Sequence, residues 1–279
     1  MPRLKLQDGT QLNFEDWGQG RPVVLIHGWP LSGAMWEHQA VALAESGCRV
    51  IAYDRRGFGR SSHPWSGYDY DTLSGDLAGL IEALELRDVG LAGFSMGGGE
   101  VLRYLTRYGA LKRVSRVALV SSVTPLLRHA PDNPKGVAAE TFQDMIEQLR
   151  DDRPRFLGEF SKQFYGVGLL SSPVSDERLQ ADFQVAMCAS PKATVECVTA
   201  FSDTDFRADL AALADLPTLV VHGHEDKTVP IDPTARALKA AVPSVQLVEY
   251  EGAPHGLFIT DRRRLCRDLV GFFTASSAA

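Results

Sequence analysis

Val89-Gly-Leu-Ala-Gly-Phe-Ser95-Met-Gly-Gly-Gly-Glu100-Val-Leu-Arg-Tyr-Leu-Thr-Arg-Tyr108 is the stretch on which the reading turns. Val89 to Ala92 is a short unbroken apolar run, the mark of a strand buried on both faces of a parallel sheet. Glu100 to Tyr108 carries its apolar residues at helical spacing. Between them, Gly93-Phe94-Ser95-Met96-Gly97 fits G-x-S-x-G at the strand-to-helix junction, where a sharp turn lifts a serine oxygen above the sheet edge. Gly97, Gly98 and Gly99 fill the first helical turn at a cost of up to about 1 kcal/mol each, so local helix stability does not account for them. The competing reading makes Ser95 an ordinary helix N-cap.

Outward from this junction the same alternation recurs. Pro22–Ile26, ended by His27-Gly28, Arg49–Tyr53 and Val117–Val120 read as buried strands, with helices near 34–46, 71–86 and 96–109. The pattern resumes with a strand at Thr218–Val221, a helix near 232–241, a strand at 245–250 and an amphipathic helix near 261–274. Strand alternating with helix implies an α/β chain with a mostly parallel, doubly wound sheet. Residues 3–17 alternate polar and apolar about Asp8-Gly9, which predicts an antiparallel N-terminal hairpin. Residues 125–213 break the pattern with six prolines and no buried strand. They are expected to form a helical cap insertion in a core made of 1–124 and 214–279, lying over the carboxyl ends of the strands, where open α/β sheets bind ligands.

Composition narrows the class. Over 279 residues, 44% are hydrophobic and 23% charged, an ordinary globular balance. A net charge of −6 gives no drive toward phosphate backbones or anionic lipid, so neither nucleic acid nor a membrane is an expected partner. The basic run Arg262-Arg263-Arg264 reads as the solvated face of the last helix. Cys48, Cys188, Cys197 and Cys266 form no CxxC pair and read as free, mostly buried thiols of a cytoplasmic protein. The N-terminus has charges where a signal peptide needs an apolar segment.

A serine needs a base to take its proton and a third group to orient that base. His255, in Ala-Pro-His-Gly between a strand and the last helix, falls on a carboxyl-edge loop and comes last in the order Ser, Asp or Glu, His. Asp226, in His222-Gly-His-Glu-Asp, follows the strand ending at Val221 and lies between the two. Glu225 is a rival, as is Asp232, which reads better as the N-cap of a helix starting at Pro233. His222 and His224 with Asp226 offer a metal alternative, though histidines at i and i+2 project unevenly and no further partner is near.

Taken together, His27-Gly-Trp-Pro30, Asp54-Arg-Arg-Gly-Phe-Gly-Arg-Ser-Ser62, Gly93-Phe-Ser-Met-Gly-Gly-Gly99, Gly223-His-Glu-Asp226 and Ala253-Pro-His-Gly256 resemble the cofactor-free (non-haem) bacterial haloperoxidases of the α/β-hydrolase superfamily, with their aryl esterase and γ-lactamase relatives. The resemblance implies the α/β-hydrolase fold and a Ser95, His255, Asp226 triad acting on small carboxylic esters through an acyl-enzyme. It implies an oxyanion hole from the backbone N–H groups of Trp29 and Met96, with the His27 side chain holding its loop and neither Arg55 nor Arg56 touching substrate. Hydrogen peroxide in place of water would yield a peracid able to oxidise bromide without haem or metal, so no cofactor is implied. Phe156, Phe160, Phe164 and Tyr165 form an aromatic stripe that packs the cap or lines an acyl pocket. Pro30, Phe156, Phe160 and Val229 are the candidate pocket residues, and Pro30 restrains the oxyanion loop through its fixed φ.

Three alternatives stand beside this. An amidase or γ-lactamase would use the same residues. A dehalogenase or epoxide hydrolase would need aspartate where Ser95 stands. A silent ligand-binding member of the fold would keep the pocket without turnover. The sequence leaves open whether the chain forms a homo-oligomer.

Overall fold

The computed structural model describes residues 2–168 and 172–275. Eight strands form one sheet: β1 (Arg3–Lys5), β2 (Gln11–Gly18), β3 (Arg21–Ile26), β4 (Cys48–Tyr53), β5 (Val89–Phe94), β6 (Val114–Val120), β7 (Thr218–Gly223) and β8 (Gln246–Tyr250). Their order is β1-β2-β4-β3-β5-β6-β7-β8. The expected hairpin is there, with β1/β2 and β2/β4 antiparallel and the other neighbours parallel.

Side chains of β3 alternate between two cores, as the period of two requires. Val24 and Ile26 join one cluster with Leu73 and Leu77 of α2 (Tyr70–Ala83) and Val101 and Leu105 of α3 (Met96–Tyr108). Val23 and Leu25 join the other with Leu43 of α1 (Glu37–Glu45) and Leu265, Leu269 and Phe273 of α9 (Arg262–Thr274). Arg262, Arg263 and Arg264 are exposed on α9, as their spacing predicts. Because β4 lies on one side of β3 and β5 on the other, the strand order reverses between β3 and β5, and a crevice opens at their carboxyl ends. His27-Gly28 leaves β3 there and Ser95 leaves β5.

Between β6 and β7 the chain runs through α4 (Ala139–Phe164), α5 (Asp176–Met187) and α6 (Pro191–Asp203). Among the described residues this stretch has only two isolated β-bridges and no strand. Helix α4 is kinked at Asp152, whose φ is −143° two residues before Pro154. The Pro154 ring forbids an unbroken helix, and the Asp152 carboxylate restarts it by accepting the Arg155 N–H at 3.1 Å.

Two expectations need correction. Asp232 is not an N-cap: Ile231 holds that position, and the Asp232 carboxylate bonds Lys135 and Arg236, each at 2.8 Å. Two positive partners outcompete a backbone N–H for it. Of the four free thiols only Cys48 and Cys197 are buried, while Cys188, the residue that ends α5, is exposed. Among the described residues no helix is long and apolar enough to cross a membrane.

Candidate active site

The turn after β5 is the sharp one that the glycine pattern predicts. Ser95 has φ 53° and ψ −118° and makes no side-chain cap, so the N-cap reading of this residue is set aside. A non-glycine residue in such a conformation costs about 1–3 kcal/mol and persists only where its surroundings hold it. Here Ser95 N–H donates to the Val120 carbonyl at 2.9 Å, and the Ser95 carbonyl accepts the Gly98 N–H at 3.0 Å. A Cβ on Gly93 would meet the Gly97 carbonyl oxygen at 2.5 Å, and one on Gly97 would meet the Ile26 carbonyl oxygen at 2.6 Å. Glycine at both positions lets helix α3, strand β5 and the end of β3 close together around the serine.

Three loops then bring Ser95, His255 and Asp226 into one chain. His255 Nε2 lies 3.0 Å from Ser95 Oγ, and His255 Nδ1 lies 2.7 Å from Asp226 Oδ2. All three residues are buried. Phe94 and Phe164 flank the imidazole, with ring centroids 4.9 and 4.8 Å away. The backbone beside it is pinned where Gly256 N–H donates to the Phe164 carbonyl at 2.8 Å.

Asp226 Oδ1 accepts the backbone N–H groups of Thr228 and Val229 at 3.0 and 2.7 Å. Oδ2 also lies 3.3 Å from His222 Nε2, which donates to the Val229 carbonyl at 2.8 Å. Burial alone would raise the carboxyl pKa, but the His255 imidazole and the hydrogen bonds from His222 and His255 outweigh it and hold Asp226 at about 2. The rivals lie elsewhere: Glu225 is exposed, and Asp232 pairs with Lys135 and Arg236. His224 turns outward to Glu249 at 2.5 Å while His222 faces inward, so the two histidines share no metal position.

A cavity of about 350 Å³ opens above the serine, with Trp29, Ser95 and His255 in its wall. Of the candidate pocket residues, Phe156, Phe160 and Val229 line it. Pro30 does not; it borders a void of about 20 Å³ with Leu157, Phe160 and Phe164. The Trp29–Pro30 peptide is cis, and Trp29 rather than Pro30 lines the cavity. Phe164 packs on His255, and the Tyr165 hydroxyl donates to Asp182, so the aromatic stripe divides between pocket and packing. Phe142, Met145 and Phe201 complete the apolar wall, while Asp144, Glu159 and Lys227 bring charge to the lining. Sequence reading misses Phe142, Met145 and Phe201, because nothing in their own stretches distinguishes a cavity-facing residue from a packing one.

Beneath the loop that carries Trp29 lies a network of buried charge. Arg55 and Glu100 are ion-paired at 1% and 0% side-chain exposure. Arg55 also donates from Nη2 to the His27 carbonyl at 2.6 Å and from its backbone N–H to His27 Nε2 at 2.9 Å. Burial and the Arg55 charge hold the His27 pKa well below its ordinary value. Arg56 is buried against Asp76, so neither Arg55 nor Arg56 faces the cavity.

A serine on a sharp strand-to-helix turn at the switch point of a mostly parallel sheet, with an aspartate and a histidine on later carboxyl-edge loops, defines a class. The alpha/beta hydrolase fold family matches residues 21–262, and the chain belongs to it. It is 41% identical to the non-heme chloroperoxidase CPO-A1 of Kitasatospora aureofaciens, over 98% of this chain and 99% of the relative. It is 35% identical to the bifunctional esterase/perhydrolase DCH of Acinetobacter calcoaceticus, again over 98% and 99%. A bromoperoxidase from Bacillus anthracis superimposes with a TM-score of 0.93 at 45% identity, over 96% of this chain and 97% of that one.

Proposed function

We propose that the protein hydrolyses small, uncharged carboxylic esters through an acyl-enzyme on Ser95, and forms peracids when hydrogen peroxide takes the place of water. The observation that carries this reading is the unbroken contact Ser95 Oγ, His255 Nε2, His255 Nδ1, Asp226 Oδ2 at the wall of a cavity lined by Trp29, Phe156, Phe160 and Phe201. His255 removes the serine proton as Oγ attacks the ester carbonyl. Asp226 keeps the Nδ1–H tautomer and faces the imidazolium that forms. The oxyanion is taken by Trp29 N–H and by Met96 N–H, which opens α3 at the positive end of its dipole. His255 returns the proton to the leaving alcohol.

Water then attacks the acyl-enzyme, His255 takes its proton, and the acid leaves with Ser95 restored. With hydrogen peroxide as nucleophile the product is a peracid. In solution, peracid, bromide and a proton give carboxylic acid and hypobromous acid, so halogenation follows from ester chemistry. The likeness to chloroperoxidase, bromoperoxidase and esterase/perhydrolase relatives supports both branches. On this reading residues 125–213 act as a cap on a core of 1–124 and 214–279; Phe156, Phe160 and Phe201 in the cavity wall support that division. Free thiols at all four cysteines suit a reducing cytoplasm.

The test compares wild type with Ser95→Ala for p-nitrophenyl acetate hydrolysis, phosphonate labelling and peroxide-dependent bromination in acetate buffer. All three activities should vanish together in the variant. Bromination retained by Ser95→Ala would refute the acyl-enzyme route, and a wild type that neither turns over ester nor takes the label would refute the hydrolase.

A further inference from the structure

The Trp29 N–H required above belongs to the peptide joining Gly28 to Trp29. Among the described residues the cis bonds are Trp29–Pro30 and Thr124–Pro125, so the Gly28–Trp29 peptide is trans and its C=O and N–H point in opposite directions. Whatever fixes the Gly28 carbonyl therefore aims the Trp29 N–H. Two groups hold that carbonyl: Leu31 N–H at 3.1 Å and His27 Nδ1 at 2.9 Å.

The tautomer of His27 follows from its other nitrogen. Arg55 N–H donates to Nε2 at 2.9 Å, so Nε2 is the acceptor and the proton of the neutral ring sits on Nδ1, free to donate to the Gly28 carbonyl. The Arg55 guanidinium bonds the His27 carbonyl and the buried Glu100 carboxylate, which also accepts the Tyr53 hydroxyl at 2.7 Å. Glu100 stands on α3, the helix that opens with Met96. One network thus joins the loop offering the first oxyanion donor to the helix offering the second.

We propose that His27, Arg55 and Glu100 are positioning residues that set the direction of the Trp29 N–H toward the oxyanion and fix it relative to the Met96 N–H. The inference rests on Ser95 being the nucleophile. Misplacing a catalytic group by about 1 Å costs on the order of 10²-fold in rate, so the network is to be read in kcat rather than in KM.

Two His27 variants of the same chemistry and different reach provide the test. His27→Asn places its amide where Nδ1 lies and can still donate to the Gly28 carbonyl. His27→Gln extends past that position to where Nε2 lies, satisfying the Arg55 N–H and leaving the Gly28 carbonyl unheld. With p-nitrophenyl acetate, Asn should stay within about 5-fold of wild-type kcat and Gln should fall about 50- to 100-fold, with KM within about 3-fold for both. Phenylboronic acid, whose adduct on Ser95 mimics the tetrahedral intermediate, should bind Gln more weakly in the same proportion. The double variant Arg55→Met, Glu100→Gln, which removes both buried charges at once, should behave as Gln does.

Folding is monitored by thermal midpoint. Gln equal to or better than Asn in kcat and boronate affinity would overturn the proposal, because a role confined to holding the fold favours the variant that satisfies Arg55. Equal wild-type activity in all three folded variants would overturn it as well. Either result, obtained with a wild type that turns over ester and is labelled at Ser95, leaves the hydrolase reading standing; a wild type doing neither would remove that reading first.

Discussion

Asp226→Asn removes the carboxylate that faces His255 and reverses the tautomer that the imidazole must adopt. Asp226 Oδ1 accepts two backbone N–H groups, from Thr228 and Val229, so an asparagine must keep its carbonyl oxygen there. Its NH2 then falls where Oδ2 lies, 2.7 Å from His255 Nδ1. Facing a donor, Nδ1 becomes the acceptor and the ring proton moves to Nε2, the atom 3.0 Å from Ser95 Oγ. A protonated Nε2 cannot accept the serine proton. The same change in another serine hydrolase lowers kcat about 10⁴-fold, which corresponds to roughly 5 kcal/mol. We expect that loss here, with KM changed little. The assay is steady-state and burst kinetics with p-nitrophenyl acetate, alongside a thermal melt to establish that the variant is folded. A folded Asp226→Asn retaining more than about a tenth of wild-type kcat would show that another group orients His255.

Gly97→Ala drives a methyl to 2.6 Å from the Ile26 carbonyl oxygen and 2.9 Å from its Cγ2, so the end of β3 and the loop after it must move away from α3. About 2 kcal/mol of stability and at least 10-fold in kcat should be lost, read by urea denaturation and ester turnover. Phe160→Ala removes a ring that stacks on Phe156 and meets Trp29 edge-on, enlarging the cavity. The ratio of kcat/KM for p-nitrophenyl octanoate over acetate should rise about 10-fold, and an unchanged ratio would remove Phe160 from the acyl site. Acid should unfold the protein in part through Asp226. Its pKa of about 2 in the folded chain lies below the ordinary 3.8, so its contribution is present above pH 3.8 and lost as the pH falls through 2. The shift is worth about 2 kcal/mol, and urea midpoints of Asp226→Asn should fall less steeply than those of wild type between pH 5 and pH 2.

Much of the fold was legible because it depends on near neighbours in sequence. Val89–Phe94 is apolar at every position but its glycines, so it can only be a strand buried on both faces, and Gly93 and Gly97 mark the turn that follows. Asp226 and His255 could be ranked above their rivals because chain order and strand ends locate carboxyl-edge loops without coordinates. What stayed hidden depends on residues far apart in sequence. Glu100 lies in a helix and Arg55 in a loop 45 positions earlier, and isolated charges read as surface until packing shows them paired in the interior. Asp232 has the composition of a cap, yet Lys135, 97 positions away, decides its role. Pro30 adjoins Trp29 in sequence yet borders a different void, since which of two neighbours in a loop faces a cavity is decided by packing from distant helices.

The electrostatic arrangement shows how the site is prepared for such a reaction. Ser95 and His255 are both buried, and Phe94 and Phe164 flank the imidazole. The charges that the reaction needs exist only in the transition state, as an imidazolium and an oxyanion. In water each would be met by solvent that must first reorient; here each has a fixed counterpart beforehand. Asp226 faces the imidazolium, and it can remain a buried carboxylate because backbone N–H groups and two histidines satisfy both its oxygens. On the other side, the His27 carbonyl is held by the buried Arg55–Glu100 pair, whose charges never enter the cavity. That buried pair is therefore kept one layer behind the reacting atoms, while Phe142, Phe156, Phe160 and Phe201 in the cavity wall offer an uncharged ester apolar contact.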